Sequence, residues 1–312
     1  MRNKAVLAAF FVILLALPNL NLNNYILSIL TVVFMFAILA TSLDLVMGYA
    51  GQFSFAHGAF YGIGAYTAAI LHRDLGTGFW QNLPLGMACA SVFGLILGFP
   101  SLRLSGHFLA ITTIAFQTIV YLVLTQWTSF TGGQFGIAVP KVGATVLFGR
   151  PLFAITTPYA FYYLALAAMT VSVLVAWRLA SSRLGKEWQA IRDDELLARM
   201  IGIDATRDKL VAFVISAGLA GGAGVLSAYY VQGVSPNDFS IWTSATVVGM
   251  VLIGGRGTIV GAVLGAAMLT LLPEILRPIQ DFRMVIFGLL MILTVQFLPR
   301  GLVSLFDGSR KR

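Results

Sequence analysis

Residues 25–46, YILSILTVVFMFAILATSLDLV, run for 22 positions with one charged side chain, Asp44. As a helix rising 1.5 Å per residue, such a run is long enough to cross the roughly 30 Å hydrocarbon layer of a bilayer. Outward from it, comparable apolar runs recur near 5–22, 53–71, 84–99, 107–126, 159–178, 211–231, 242–255, 258–272 and 284–298. Composition agrees: 58% of the 312 residues are hydrophobic and 10% are charged, against about 25% charged in an ordinary soluble domain. That is too little charge to cover a water-facing surface, and lipid is the solvent that suits it. The expected fold is all-α, a polytopic transmembrane helical bundle of about 8–10 spans forming one membrane domain over residues 1–312, interrupted by a polar loop at 179–210.

The range in span number has specific sources. Pro18 and Asn19 interrupt the first run, 53–71 is rich in glycine, and 242–255 and 258–272 are short enough to be two crossings or one re-entrant pair. Met1-Arg2-Asn3-Lys4 and the apolar stretch to Leu17 resemble a signal peptide, but no small-x-small cleavage site follows, which favours an uncleaved first helix. Lys and Arg orient the bundle. With the N-terminus inside and ten crossings, fifteen of the twenty fall on the inner side and five, Arg73, Lys141, Arg150, Arg277 and Arg283, on the outer, so both termini are expected in the cytoplasm. The longest outer connection, Thr128 to Pro158, carries Gly132, Gly133 and Pro140 and reads equally as a structured cap or a plain surface loop.

Net charge of +8 raises nucleic-acid binding as a function, but the basic residues sit in short connections and form no patch interleaved with aromatics. Cys89 stands alone in an apolar run, which excludes an internal disulfide or thiolate metal site. No GxxxxGK[ST] phosphate loop exists: at the only Gly-Lys pair, Gly185-Lys186, Ala180 occupies the place of the first glycine. HExxH, CxxC and GxSxG are also absent, so no enzymatic chemistry is visible, and energy for any transport must come from a partner or a gradient.

Between Arg178 and Lys209 the chain abandons its apolar habit. RLASSRLGKEWQAIRDDELLARMIGIDATRDK holds seven basic and six acidic residues. Helix formers dominate from Glu187 to Ile201, Glu195 precedes Arg199 by four, and Gly202 is placed to end the helix. On one continuous helix Arg192, Glu195 and Arg199 share a face, with Ala190, Ile191, Leu197, Ala198 and Ile201 turned away. A soluble helix held against the membrane exit, with a charged face free for contact, is the expectation.

This segment, GKEWQAIRDDELLARMIGIDATRDKLVAFVISAGLAGGAGVL (185–226), resembles the cytoplasmic coupling segment of LivM-type permeases, the branched-chain amino-acid group of ABC importers. GYAGQFSFAHGAFYGIGAY (48–66) and LIGGRGTIVGAVLGA (252–266) are similar to further stretches of the same family, in the same order. The resemblance implies an inner (plasma) membrane permease that forms a path for branched-chain or similar hydrophobic amino acids and binds no cofactor itself. Separate ABC ATPase subunits would hold ATP and Mg, a LivH-like second permease would complete the pore, and a periplasmic or lipid-anchored binding protein would deliver substrate. Gly185, Lys186, Glu187, Arg192, Asp193, Asp194, Glu195, Arg199 and Gly202 then become the expected ATPase-coupling residues.

Polar residues inside spans are costly unless paired or facing water. Asp44, Gln52, Ser54, His57, His107, Thr112, Thr113, Gln117 and Gln296 are the candidates. Gly51, Gln52, Ser54, His57, Thr112, Thr113 and Gln117 are carried forward as substrate-pathway residues. For Gly51 to Ser54 the reason is that a glycine-rich broken helix end exposes backbone groups suited to an amino acid's carboxylate and ammonium. Thr112, Thr113 and Gln117 read equally as pore lining or as helix-to-helix hydrogen bonding. Gly58, Gly62, Ala65, Gly261 and Gly265 recur at helical spacing and read first as close-packing faces. An ion-gradient transporter would be expected to carry ionisable groups deep in the membrane, and these spans nearly lack them. A urea or amide permease of the same superfamily remains an alternative.

Overall fold

A computed structural model describes residues 23–101, 106–142, 144–147, 150–154, 157–275 and 301–303, with a few isolated positions besides. The expected spans near 5–22 and 284–298, and the question of a cleaved leader, lie outside the described residues. Within them the helices are α1 (Asn24–Asp44), α2 (His57–Leu75), α3 (Phe79–Ser101), α4 (His107–Gln126), α5 (Thr128–Thr131), α6 (Pro158–Ala180), α7 (Arg183–Asp193), α8 (Glu195–Met200), α9 (Ala205–Val231), α10 (Ile241–Gly254) and α11 (Ile259–Ile275). Five are long and apolar enough to cross a membrane: α1 with the π-helical turn Leu45–Tyr49 that continues it, α3, α4, α6 and α9.

Burial sorts these five into two shells. In α1 and α9, 67% and 72% of the apolar window is buried inside the bundle, against 28–39% for α3, α4 and α6. The first two are therefore the axis of the fold, and the other three present Val92, Ile96, Phe99, Ile111, Ile119 and Leu174 outward, as lipid-facing helices do. Close approach at the axis depends on glycine. A Cβ on Gly64 of α2 would fall on the Gly221 backbone of α9, and one on Gly224 would fall on the Tyr61 carbonyl. The α2–α9 seam is thus backbone against backbone, the geometry that small residues permit in lipid.

Local signals set the helix ends. Thr157 caps α6 by accepting from the Ala160 N–H at 3.2 Å, with Pro158 in the first turn. Asp204 caps α9 by accepting from Arg207 N–H at 3.1 Å. Gly76 ends α2 in the left-handed region at φ 64°. The run near 242–272 resolves as a hairpin: α10 and α11 turn through Gly255–Thr258, and Gly254, Gly261 and Gly265 bring their backbones too close for a Cβ.

Two small antiparallel sheets supplement the helices. β1 (Ile137–Ala138) pairs with β4 (Gly233–Val234), and β2 (Ala144–Leu147) pairs with β3 (Arg150–Ala154). The described part of the long connection after α4 is accordingly structured, and β1 ties it to the segment that follows α9. At this end Arg73 donates to the Phe130 carbonyl at 3.0 Å. At the opposite end lie α7, α8, the π turn and the α10–α11 turn.

Candidate functional site

Two constellations stand out, a polar platform at one end of the bundle and a hydrogen-bonded junction in its interior. The platform is α7 and α8. It is two helices and not the single one expected over Glu187–Ile201, because Asp194 is extended (φ −157°, ψ 107°) and caps α8, accepting from Leu196 and Leu197 N–H at 2.9 and 3.0 Å. The Asp-Asp-Glu run carried that signal in sequence, an N-cap acid followed by an acid in the first turn.

The break rearranges the expected face. Arg192 and Glu195 do not share it. Arg192 turns toward the bundle and donates from Nη1 to the Gly48 carbonyl at 2.8 Å, while its Nε and Nη2 pair with Asp193 at 3.1 and 3.0 Å. Glu195 is committed internally, accepting from Lys209 Nζ at 2.6 Å and Arg199 Nη2 at 2.7 Å. Burial pushes the Glu195 carboxyl pKa up, but the bonds and charges of Lys209 and Arg199 outweigh it and leave the group below its ordinary value. Of the residues expected to turn away, Ile191 and Ala198 are buried with Ala205, whereas Leu197 and Ile201 are exposed. Together with Leu196 and Met200 they form an apolar face, 59–76% exposed, on a helix otherwise bordered by charge.

The rest of the platform is anchored. Trp188, completely buried, donates from Nε1 to the Asp208 carbonyl at 2.8 Å, which fixes α7 to the start of α9. Gly185 lets α7 turn tightly after α6, where a Cβ would strike the Ala180 carbonyl. Glu187 pairs with Arg183 at 2.7 Å, Lys186 is exposed, and Gly202 sits at φ 86° just past α8.

The junction is where α2 and α10 both begin. His57 at the start of α2 lies against Ser216, eleven residues into α9, so this point is about 16 Å along that helix at 1.5 Å per residue. Gln117 of α4 holds the parts together: its Nε2 donates to the Phe239 carbonyl at 2.6 Å and its Oε1 accepts from the Ser244 hydroxyl at 3.1 Å. Ser244 in turn accepts from Gly58 N–H at 2.8 Å, Thr113 accepts from Phe55 N–H at 3.0 Å, and Ser54 accepts from Ala56 N–H at 3.2 Å. Thr113 and Gln117 thus bond across to other segments, Ser54 bonds within its own, and all three side chains are fully buried. Thr112 is not part of the group and bonds back to Phe108 of its own helix. Gly51 and Gln52 lie nearer the platform.

His57 is held apart from them. The Ser216 hydroxyl donates to the Ser42 carbonyl at 2.6 Å, so at 2.7 Å it must accept from His57 Nε2–H. That chain ends on the Ser42 backbone carbonyl, so His57 is tied into the packing between α1, α2 and α9. Sequence reading missed Ser216 and Ser244, because single serines in apolar runs carry no pattern of their own. It also missed Lys209 as the strap on α8.

Comparison with known proteins agrees with this architecture. Residues 25–295 match the family described as branched-chain amino acid transport system / permease component. The chain is 36% identical to the high-affinity branched-chain amino acid transport system permease protein LivM of Salmonella typhimurium and 35% identical to LivM of Escherichia coli, each over 97% of this chain and 76% of the relative. It is 26% identical to LivH of Escherichia coli over 86% of this chain and 91% of that protein. No solved structure matches. A bundle of membrane-length helices that matches this family over most of its length belongs to the branched-chain amino acid transport system permease components.

Proposed function

We propose that the chain is the LivM-like permease subunit of an ABC importer for branched-chain, hydrophobic amino acids in a bacterial inner membrane, driven by separate ATPase subunits that dock on α7 and α8. The observation that carries the docking is the face of Leu196, Leu197, Met200 and Ile201, exposed beside Arg199 and Asp193 on a platform locked to α9. Apolar side chains, Met among them, ringed by charge are the composition of a protein-binding core with a polar rim. The chain has no phosphate loop, so ATP and Mg belong to that partner.

With the platform in the cytoplasm, Arg178, Arg183, Lys186, Arg192, Arg199, Arg207, Lys209 and Arg256 fall on the inner side and Arg73, Lys141 and Arg150 on the outer, in line with the positive-inside rule. Cargo follows from the LivM relatives, and a LivH-like second permease and an external binding protein complete the unit. The substrate path runs by the junction, where two helices start inside the bundle and direct the positive ends of their dipoles inward.

The test is co-expression with candidate ATPase and second permease subunits, reconstitution in liposomes, and assay of ATP hydrolysis and leucine uptake with binding protein outside. Copurification with leucine-dependent hydrolysis is expected. Uptake that follows an imposed ion gradient, with no ATPase associated, refutes the proposal.

A further inference from the structure

We propose that Arg192 is a positioning residue that transmits movement of the α7–α8 platform to the interior junction, through a notch lined by Gly48, Gly51 and Gly257; this rests on the ATPase docking at the platform. The notch is built around the side chain. Besides the bond to the Gly48 carbonyl, a Cβ on Gly51 would lie 2.7 Å from Arg192 Cγ, and one on Gly257 would lie 3.0 Å from Nη1. Gly51 and Gly257 also have φ of 69° and 74°, backbone that side chains rarely adopt.

The walls are fixed to each other. Asp44, fully buried at the end of α1, accepts from Gly257 N–H at 2.8 Å, and a Cβ on Gly48 would collide with both the Asp44 carboxylate and Gly257 N. These walls are the two chain segments that lead to the junction. The segment from Ala50 to Ala56 runs into the start of α2, and the Gly255–Thr258 turn closes α10, whose other end is the Ser244 side of the Gln117 clamp. One arginine therefore lies beside both inputs to the place where the two interior helices begin, its guanidinium bonded to Gly48 and next to Gly257 and its stem against Gly51. The wall before Gly51 is the π turn, in which Ala50 N–H donates to the Leu45 carbonyl. Such turns in α-helices recur at functional, adjustable positions. A platform pushed by its ATPase moves α9 directly through Trp188 and Lys209, and it moves α2 and α10 through Arg192.

The experiment uses the whole importer in liposomes and reads leucine imported per ATP hydrolysed, with assembly measured by copurification. Arg192→Gln and Gly257→Ala are compared with wild type. Both should assemble and hydrolyse ATP, with transport per ATP falling about 10-fold, within the usual range for coupling between sites, and Arg192→Lys should recover part of it. Wild-type transport per ATP in both variants overturns the proposal. If a variant fails to assemble, hydrogen exchange of the wild-type complex decides: amides 52–58 and 257–258 should change protection on binding a non-hydrolysable ATP analogue, and no change there overturns it. A wild-type chain that binds no ATPase refutes the docking itself, a different result from a coupled importer indifferent to Arg192.

Discussion

Replacing Glu195 by alanine should release α8 from the bundle without unfolding the membrane helices. Lys209 is 3% exposed and its ammonium meets Glu195 Oε2 at 2.6 Å, while Glu195 itself is one-third exposed and Arg199 is 52% exposed. The Arg199 half of this triad is a surface pair worth about 0.3–0.5 kcal/mol. The Lys209 half is different, because removing the carboxylate strands a buried charge, which costs about 3–5 kcal/mol for a fully buried pair. With a third of Glu195 in water, roughly 2–3 kcal/mol is the reasonable figure, a rise of about 30- to 150-fold in local opening. Glu195→Gln keeps an acceptor for Lys209 and should cost about 1 kcal/mol.

Hydrogen exchange in nanodiscs reads this at the Ala198, Ile201, Gly202 and Ile203 amides, all bonded within or just after α8. Acid supplies a second arm. The Glu195 carboxyl is held below its ordinary value of 4.5, so its contribution is complete above that pH, declines beneath it and is gone once pH falls below the folded-state value. Protection corrected for chemical exchange should therefore hold through neutral and mildly acid solution and fall only in stronger acid. Unchanged exchange in Glu195→Ala, or loss no greater than in Arg199→Ala, refutes the strap.

Leu196→Asp and Met200→Asp should change thermal stability by no more than about 0.5 kcal/mol, since both side chains are exposed, yet weaken ATPase copurification by about 10-fold or more; intact association in both removes the apolar face from the interface. Gln117→Leu strands the Phe239 carbonyl and the Ser244 hydroxyl in the interior and should cost about 2–4 kcal/mol, read as a fall in Tm. Gly64→Ala places a methyl on the Gly221 backbone and should cost about 3 kcal/mol, visible as poor accumulation in the membrane.

The run from Tyr25 to Val46 specified a membrane helix because hydropathy is a local property and the bilayer sets the length it must reach. Interruption by charge was equally legible, so the polar segment at 179–210 was located from composition alone. Asp194 shows the limit. Helix propensity favoured continuity from Glu187 to Ile201, and a cap geometry of a single residue divided it, exposing Leu197 and Ile201 and withdrawing Glu195.

Seen as isolated letters, Thr113 and Gln117 read equally as pore lining or interhelical bonds, since depth and neighbours are not local properties. Packing brought Gln117 to Ser244, 127 residues away, and to Phe239. By the same route Arg192 reached Gly48, 144 residues distant. The sequence by itself determined that the chain is built of apolar membrane helices, that a polar segment interrupts them and which family it resembles, because each depends on composition or pattern within a short window. Only the tertiary structure decided which polar residues meet, which apolar face stays open and where two helices begin inside the bundle, because those follow from backbones that glycine allows to touch across the fold.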